Sequence, residues 1–397
     1  MSAEIIGRKI LDMNQAESPD WRNLVAACAA VTVFGLTFGM TYPLLSLLLE
    51  ERGVSPSMIG MNSAMMPIGI LLFSSVIPVA SRRFGSRNTA LTAALITAFL
   101  MPCFMLFDSL EAWFGLRLLT GMSTSILFVL SEAWIVRFAG DKHRGKIVAL
   151  YGSILSASFG AGPALISWIG IHGWLPYIIA TVVLLLGMIP LSMIRDNSKL
   201  QYEETETSGI FSFMVKAPML LCAVGVFSIF DASTLSLFPI YGLRVGLDVT
   251  TASLALTALI LGNVFFQVPI GWLADIFPKR LVIASCALVA VISAIILPMV
   301  MATPAMWVCL VILGTSGYGV YSVALAALGD RFRGPELVTG SAAFAVMWGM
   351  GALFGSVSGG WAMAISFHGL AYFIAIVYTV LVVGLIIRGI HLRNRNG

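Results

Sequence analysis

Three ionisable side chains lie inside long apolar stretches of the sequence: Arg117, Glu132 and Asp231. Glu132 occurs in "LFVLSEAWIVRF" and Asp231 in "FSIFDASTLSLF". An ionisable group at the centre of a membrane helix costs about 2.5–3.5 kcal/mol on insertion scales and usually faces the interior of the helix bundle. A carboxyl group in that position can exchange a proton or hold a cation. We therefore treat all three residues as candidates for proton coupling.

Helical geometry restricts how these residues can act together. Arg117 and Glu132 are separated by 15 positions, which places them on one broad helix face but about 22 Å apart along the axis. Thr124 and Phe128 fall between them on that face. Glu132 precedes Arg137 by five residues and is about 7.5 Å from the end of its apolar run by the same rise. The spacing predicts that Glu132 lies inside the membrane, away from its centre.

Each of the three residues retains an alternative structural role. Asp231 could instead be a hydrogen-bonded anchor between helices, with Ser or Thr partners. Arg117 could be structural, bonded to backbone carbonyl groups of the first apolar run near Gly35 and Gly39. Glu132 could be the anionic half of a gate at the inner surface that is closed by arginines. Two roles, proton site and gate, therefore stay open for Glu132.

The composition defines the elements that must position these groups. The chain has 397 residues, of which 59% are hydrophobic and 11% charged, whereas soluble domains carry about 25% charged residues. Runs of about 20 apolar residues each suffice for one membrane crossing by a helix. We predict an all-α polytopic membrane protein with twelve spans at residues 24–49, 58–80, 89–107, 112–136, 147–170, 175–194, 218–241, 251–273, 281–301, 305–328, 338–365 and 370–390.

A central polar stretch divides the spans into six and six. We expect five segments: a cytoplasmic N-terminal segment 1–22, a first six-helix bundle 23–194, a cytoplasmic linker 195–217, a second bundle 218–390 and a cytoplasmic tail 391–397. With both termini in the cytoplasm, the cytoplasmic segments hold 20 of the 23 Lys and Arg residues. Positive charge marks the cytoplasmic side of membrane proteins, so this orientation is predicted.

The two halves also resemble each other at an offset of 193 residues. The matching pairs are Gly53 with Gly246, Arg87 with Arg280, Gly121 with Gly314, Gly162 with Gly355 and Trp168 with Trp361. Two parallel six-helix repeats are typical of transporters whose site lies near the midplane between the halves. The sequence contains no phosphate-binding glycine loop, metal-ligand cluster or nucleophile constellation, so we predict neither an enzyme nor a cofactor or metal.

These residues resemble the major facilitator superfamily, whose loop signature runs approximately G-x-L-A-D-R-x-G-R-R. The second copy here is "GWLADIFPKR", with Gly271, Asp275, Lys279 and Arg280. The first copy is "PVASRRFGSR", in which Arg83 and Arg87 match and Arg82 replaces the acidic residue. "RLLTG", Arg117 to Gly121, resembles the family's R-x-x-x-G. "GAGPA", with Gly160, Gly162 and Pro163, resembles the motif associated with exporters.

Within the superfamily the chain is similar to the YcaD-like branch. That branch pairs a fourth-helix arginine with a later E-[SA]-W and R-G, which here are Arg117, Glu132-Ala133-Trp134 and Arg144-Gly145. The resemblance implies a pseudo-two-fold fold of two six-helix halves. It also implies that Asp275, Lys279 and Arg280 form an ion-pair latch at the cytoplasmic gate, to which Arg82, Arg83, Arg87 and Gly271 belong. A solvated loop is the alternative for these residues.

Polar and aromatic residues at helical spacing provide candidates for the substrate cavity, although each alone could serve packing. They are Thr37, Thr41, Thr124, Phe128, Asn263, Gln267, Tyr318, Tyr321 and Trp348. We expect a monomeric secondary active transporter in the cytoplasmic (inner) membrane of a bacterium, driven by protons and exporting a small molecule. Uptake of a nutrient or metabolite is the alternative, and a non-transporting membrane sensor is a second one. The protein's partners would be its substrate, protons and lipid, without nucleic acid.

Overall fold

The computed structural model describes residues 20–74, 76–138, 144–194, 207–333 and 335–396. All regular elements in these ranges are helices, and twelve of them are long and apolar enough to span a membrane. The predicted twelve-helix fold is thereby confirmed. Most of the predicted N-terminal segment and the first part of the predicted linker, 195–206, lie outside the described residues, as do Lys142 and the side chains of Arg144 and Lys146.

The described residues of the first half form seven helices. They are α1 (Trp21–Glu51), α2 (Pro56–Ser74), α3 (Val76–Phe84), α4 (Ser86–Leu106), α5 (Leu110–Phe138), α6 (Arg144–Ile169) and α7 (Leu175–Ser192). The second predicted span corresponds to α2 together with the short helix α3. The other spans agree with the apolar runs to within a few residues at each end.

The second half follows the linker and contains six long helices. They are α9 (Pro218–Arg244), α10 (Val249–Ile276), α11 (Lys279–Val300), α12 (Ala305–Arg331), α13 (Pro335–Ile365) and α14 (Gly369–Asn396). The predicted linker also contains a helix, α8 (Thr207–Lys216). It is held to the second half by Phe213, whose ring centroid lies 4.8 Å from that of Phe332, and by Lys216, which pairs with Glu336 at 2.5 Å.

The two ends of the helix bundle are distinguished by the contacts of their loops. At one end, called the upper end below, the last turn of α1 meets the last turn of α9 through Glu50 and Arg244. The α1–α2 and α9–α10 turns belong to this end. The opposite, lower end carries Arg87 and Arg280, which donate hydrogen bonds to the carbonyl oxygens of Ile194 and Leu385, respectively.

The 193-residue repeat reappears in the packing. A Cβ atom at Gly121 would collide with the carbonyl oxygen of Met66, and one at Gly314 would collide with that of Leu259, the residue 193 positions after Met66. In the upper turns Gly53 and Gly246 have φ angles of 75° and 94°. Other residue types rarely adopt such angles. The same local geometry was therefore kept in both halves.

The halves meet along two helix pairs, α2 with α13 and α6 with α10, and at the upper end where α1 meets α9. Small residues permit close approach: a Cβ at Gly360 would collide with Gly60 and with the carbonyl of Pro56. Thr257 of α10 donates a 3.1 Å hydrogen bond to the carbonyl of Gly160 in α6. Toward the upper end α9 is buried from Phe230 to Gly242. The interface is therefore closed at that end.

Candidate functional site

Asp231 is buried in α9 and its carboxyl group is held by other helices of the second half. Tyr318 of α12 donates a 2.9 Å hydrogen bond to Oδ1, and the side chain of Trp348 of α13 also interacts with the carboxyl group. The Tyr318 ring packs against Phe227 and Phe230 at centroid distances of 5.6 and 5.5 Å. The partner is thus a tyrosine, whereas the anchor hypothesis expected Ser or Thr.

Glu132 is exposed on α5, yet it lies among residues of both halves. Its carboxyl group interacts electrostatically with Tyr151 of α6 and with Tyr321 of α12. The Tyr151 hydroxyl is 2.9 Å from the Oγ of the neighbouring Ser131. Tyr321 interacts in the same way with Asp231, so this tyrosine is near both carboxyl groups. An exposed side chain with neighbours from both halves is the geometry expected of a residue that lines the space between them.

Within the described part of the chain, Glu132 forms neither a hydrogen bond nor an ion pair. The gate hypothesis required a bond to one of three first-loop arginines. Arg82 and Arg83 are exposed, and the Arg83 guanidinium lies over the Phe84 ring at 5.5 Å. Arg87 binds the Ile194 carbonyl at 3.3 Å. Among the described residues there is therefore no gate pair between Glu132 and these arginines.

The loop motif of the second half forms contacts other than the expected latch. Gly271 and Asp275 are exposed, and Asp275 pairs with neither Lys279 nor Arg280. Lys279 instead forms its ion pair with Asp330, at the end of α12. Arg280 donates to the carbonyl oxygen of Leu385 in α14 at 2.7 Å. Both cations therefore tie helices within the second half.

Arg117 is completely buried between α5, α1 and α2. One guanidinium nitrogen donates to Ser63 Oγ at 2.9 Å and another lies 3.5 Å from Ser46 Oγ. The guanidinium carbon is 5.6 Å from the ring centroid of Tyr42. Hydroxyl groups and an aromatic face therefore hold Arg117, in place of the backbone carbonyls that the structural alternative expected. Tyr42 also lies within electrostatic range of Asp231.

The remaining cavity candidates separate into two groups. Thr41 and Thr124 donate 2.7 Å bonds to the carbonyls one turn earlier, Thr37 and Thr120, and this group serves helix packing. The second group faces the interface between the halves: Asn263 Nδ2 lies 3.3 Å from Ser156 Oγ of the first half. Gln267 belongs to the same helix, and its Oε1 has no partner among the described residues.

Aromatic rings make up much of the interior near the carboxyl groups. Tyr321 stacks on Phe227 with centroids 4.6 Å apart. On the first half, Phe128 packs against Phe34 at 5.2 Å, and Phe34 against Phe159 at 5.9 Å. Phe128 and Tyr321 are half-buried. Asp231 is therefore flanked by aromatic side chains of α9 and α12, and Phe128 lies one helical turn from Glu132 on α5.

The glycine-proline motif of α6 is placed at contacts that cross helices. A Cβ at Gly162 would collide with the backbone of Gly39 and Met40 in α1. A Cβ at Gly160 would lie 3.3 Å from Ile260 of α10, in the other half. Pro163 is buried within α6. The motif is thus packed where α6 meets both α1 and the second half.

A cross-half ion pair at the upper end was not anticipated from the sequence. Arg244 Nε donates to Glu50 Oε1 at 2.8 Å, and a second guanidinium nitrogen lies 3.4 Å from the carbonyl of Met363 in α13. Both charged side chains are mostly buried, at 18% exposure for Glu50 and 28% for Arg244. The available signal was positional, because Glu51 and Arg244 are separated by the repeat offset and Glu50 adjoins Glu51.

Comparisons with known proteins agree with this architecture. The family model described as Major Facilitator Superfamily matches residues 27–253 and 220–396. The MFS-type transporter YfkF of Bacillus subtilis is 25% identical over 365 residues, covering 89% of this chain and 93% of its own length. The MFS-type transporter YcaD of Escherichia fergusonii is 24% identical over 338 residues, covering 84% and 87%. The similarity to YcaD confirms the resemblance inferred from the motifs.

Solved structures share the fold at lower identity. The D-xylose-proton symporter superposes with a TM-score of 0.72 at 18% identity, covering 93% of this chain and 97% of the symporter. The nucleoside transporter NupG gives a TM-score of 0.71 at 12% identity, covering 92% of this chain and 98% of NupG. At these identities the likeness concerns the fold alone.

Proposed function

The chain belongs to the Major Facilitator Superfamily and is a secondary transporter rather than an enzyme; from this premise we propose that it couples export of a small molecule to protons by alternating access. In this proposal it is a monomeric antiporter of the bacterial cytoplasmic membrane. The upper end would face outward and the lower end would face the cytoplasm, in keeping with the distribution of Lys and Arg.

The proposal of proton coupling rests on the environment of Glu132. It is an exposed carboxyl group among membrane-spanning helices, and in the described part of the chain no cation pairs with it. An unpaired carboxylate surrounded by apolar helices is costly, so proton binding offsets that cost. Tyr321 lies near both Glu132 and Asp231. In this proposal the two carboxyl groups pass a proton across the interface between the halves.

Alternating access is supported by the asymmetry between the two ends. The Glu50–Arg244 pair and the buried stretch of α9 close the upper end, whereas Glu132, near the lower end, is exposed. In this state a cytoplasmic molecule would reach the interior. If the Glu50–Arg244 pair then broke while the lower end closed, the bound molecule would be released on the outer side.

Export is favoured by the resemblance of the glycine-proline motif of α6 to the motif associated with exporters; this motif packs against α1 and α10, helices of different halves. Flexing of α6 there would be transmitted to both halves. Uptake by symport is the second candidate. The same fold occurs in a D-xylose-proton symporter, so the fold by itself does not select a direction.

Transport by purified protein in liposomes tests proton coupling. Cargo would first be selected from drugs, sugars, amino acids and siderophores by the increase they cause in the melting temperature. We expect flux of the selected cargo to follow an imposed pH gradient. The direction relative to the gradient separates antiport from symport.

Glu132→Gln should abolish gradient-driven flux while the protein still folds. Glu111→Gln is the matched control, because Glu111 is an exposed carboxylate at the other end of the same helix. Flux that follows the gradient normally in Glu132→Gln would exclude Glu132 as the proton carrier. Flux that ignores the gradient in the unchanged protein would exclude proton coupling altogether.

A further inference from the structure

We infer that the space around Glu132 binds an organic cation: an amine or quaternary ammonium with an apolar body. This inference rests on the proposed function, because it assigns the chemical class of the cargo to the same interior site. It is carried by an accessible, unpaired carboxylate together with aromatic rings contributed by both halves.

The site carries two acidic groups whose negative charge is not balanced by an ion pair within the described ranges. Glu132 and Asp231 are both acidic, and among the described residues no lysine or arginine forms an ion pair with either one. Arg117, the buried cation of the first half, is already bound to Ser63 and Ser46. A cationic cargo supplies the missing opposite charge, whereas an anionic cargo would be repelled.

The rings around the carboxyl groups define the shape of the cation. Tyr321 stacks on Phe227, Phe128 packs against Phe34, and Tyr151 lies beside Glu132. A cation over an aromatic face gains about 0.5–2 kcal/mol, and quaternary ammonium groups are recognised in this way. The half-buried rings of Phe128 and Tyr321 offer apolar surface from opposite halves to the body of such a molecule.

A metal ion does not suit the same place. Calcium needs six to eight oxygen ligands, and magnesium needs an octahedral set. Among the described residues no group of three or more His, Cys, Asp and Glu side chains is arranged to hold a metal. One free carboxylate with tyrosine and phenylalanine neighbours therefore suits an organic cation better.

Shared use of one carboxyl group would also explain coupling. The groups that face Glu132 are Tyr151 of α6 and Tyr321 of α12, with Cys28 of α1 next to Tyr151 and Asp231 of α9 next to Tyr321. A proton and an organic cation both neutralise Glu132, so each excludes the other. Exchange of one for the other at a single site is antiport.

Equilibrium binding tests the inference without any gradient. Tetraphenylphosphonium and tetraphenylborate have nearly the same size and shape but opposite charge, so they form a matched pair of probes. We expect saturable binding of the cation, and not of the anion, to the full chain in lipid nanodiscs. Affinity for the cation should fall as the pH is lowered, because protons compete for the carboxylate.

Glu132→Gln should weaken binding of the cation by about tenfold or more, the cost of removing a charged partner, and abolish its pH dependence. Glu132→Asp keeps the negative charge, and Glu111→Gln removes a charge that is distant from the site. Both variants should therefore bind the cation with an affinity within a few-fold of that of the original protein. A Gln variant that elutes and melts normally, yet binds the cation unchanged, would overturn the inference. So would saturable binding of the anion alone.

The outcome separates this inference from the proposed function. Proton-driven flux of a neutral or anionic cargo, with no cation binding, would leave the transporter mechanism standing and exclude the organic-cation site. Cation binding that depends on Glu132, with flux that ignores the pH gradient, would support the site and exclude proton coupling.

Discussion

Arg244 Nε lies 2.8 Å from Glu50 Oε1, and this pair joins the last turns of the first helix of each half. The two partners belong to different halves, and both are mostly buried. The pair therefore opposes separation of the halves at the upper end.

Loss of this pair is expected to open the upper end. Glu50→Gln or Arg244→Gln should shift the equilibrium toward the open form by about 1–3 kcal/mol, between the values for exposed and buried ion pairs. Double electron–electron resonance between spin labels at Glu111 and Thr303, exposed upper-end residues of opposite halves, would measure this as a longer distance. Arg52→Gln is the control, because Arg52 pairs with the exposed Asp108 of its own half. An unchanged distance in both gate variants would contradict the prediction.

The hydrogen bond from Tyr318 to Asp231 should make substitutions at the two positions non-additive. Asp231→Asn is expected to alter cargo affinity or coupling. Tyr318→Phe should reproduce part of that change, because it removes the same 2.9 Å hydrogen bond. The double variant should lose less cargo affinity or coupling than the sum of the losses in the two single variants. Binding and flux of all three proteins would be compared. If only the yield of folded protein falls, Asp231 is a structural anchor.

Close helix contact should make Gly121 intolerant of a methyl group. Gly121→Ala would push a Cβ atom into the backbone of Met66 and should lower stability by about 1–3 kcal/mol, as overpacking usually does. Gly115→Ala on the same helix is the matched control, since its Cβ would meet nothing within 4 Å. Thermal unfolding in detergent measures both. If Gly121→Ala and Gly115→Ala melted at the same temperature, α2 and α5 could move apart at little cost in free energy, and the prediction would be wrong.

Asp248 caps the N-terminus of α10 and should confer a small, pH-dependent stability. Hydrogen bonds from Thr251, and then from Thr250, lower the pKa of its carboxyl group below the usual 3.8. The stabilisation is therefore complete above that value and is lost as the pH falls through the lowered pKa. Asp248→Ala should cost about 0.5–1 kcal/mol at neutral pH and nothing in strong acid. A difference in melting temperature that persists in strong acid would contradict this account.

The sequence predicted the helices well because each span is a local property. Apolar runs of about 20 residues gave all twelve spans, and the repeated glycines gave the offset that recurs in the packing of Gly121 and Gly314. The short helix α8 was missed, because its segment was taken as part of a polar linker. Its attachment through Phe213 to Phe332 depends on a surface that only the folded second half provides.

Partners of charged residues were predicted less well, because pairing across distant helices leaves no local pattern. Lys279 was expected near Asp275, four residues away, but it pairs with Asp330. Arg244 was not singled out from the sequence, although it forms the upper cross-half pair. For Glu132, spacing correctly excluded contact with Arg117, yet it could not reveal Tyr321, which comes from the other half of the chain.

The unlike charges at the upper end bear on the ancestry of the two halves. Internal duplication would have begun with identical copies, and the position of the first half that corresponds to Arg244 by the 193-residue offset is Glu51. A homodimer of two first halves would therefore set Glu50 against the acidic Glu51 of its copy, and like charges would oppose closure. Two second halves would set Leu243 against Arg244, so only the unlike halves of this chain form the pair.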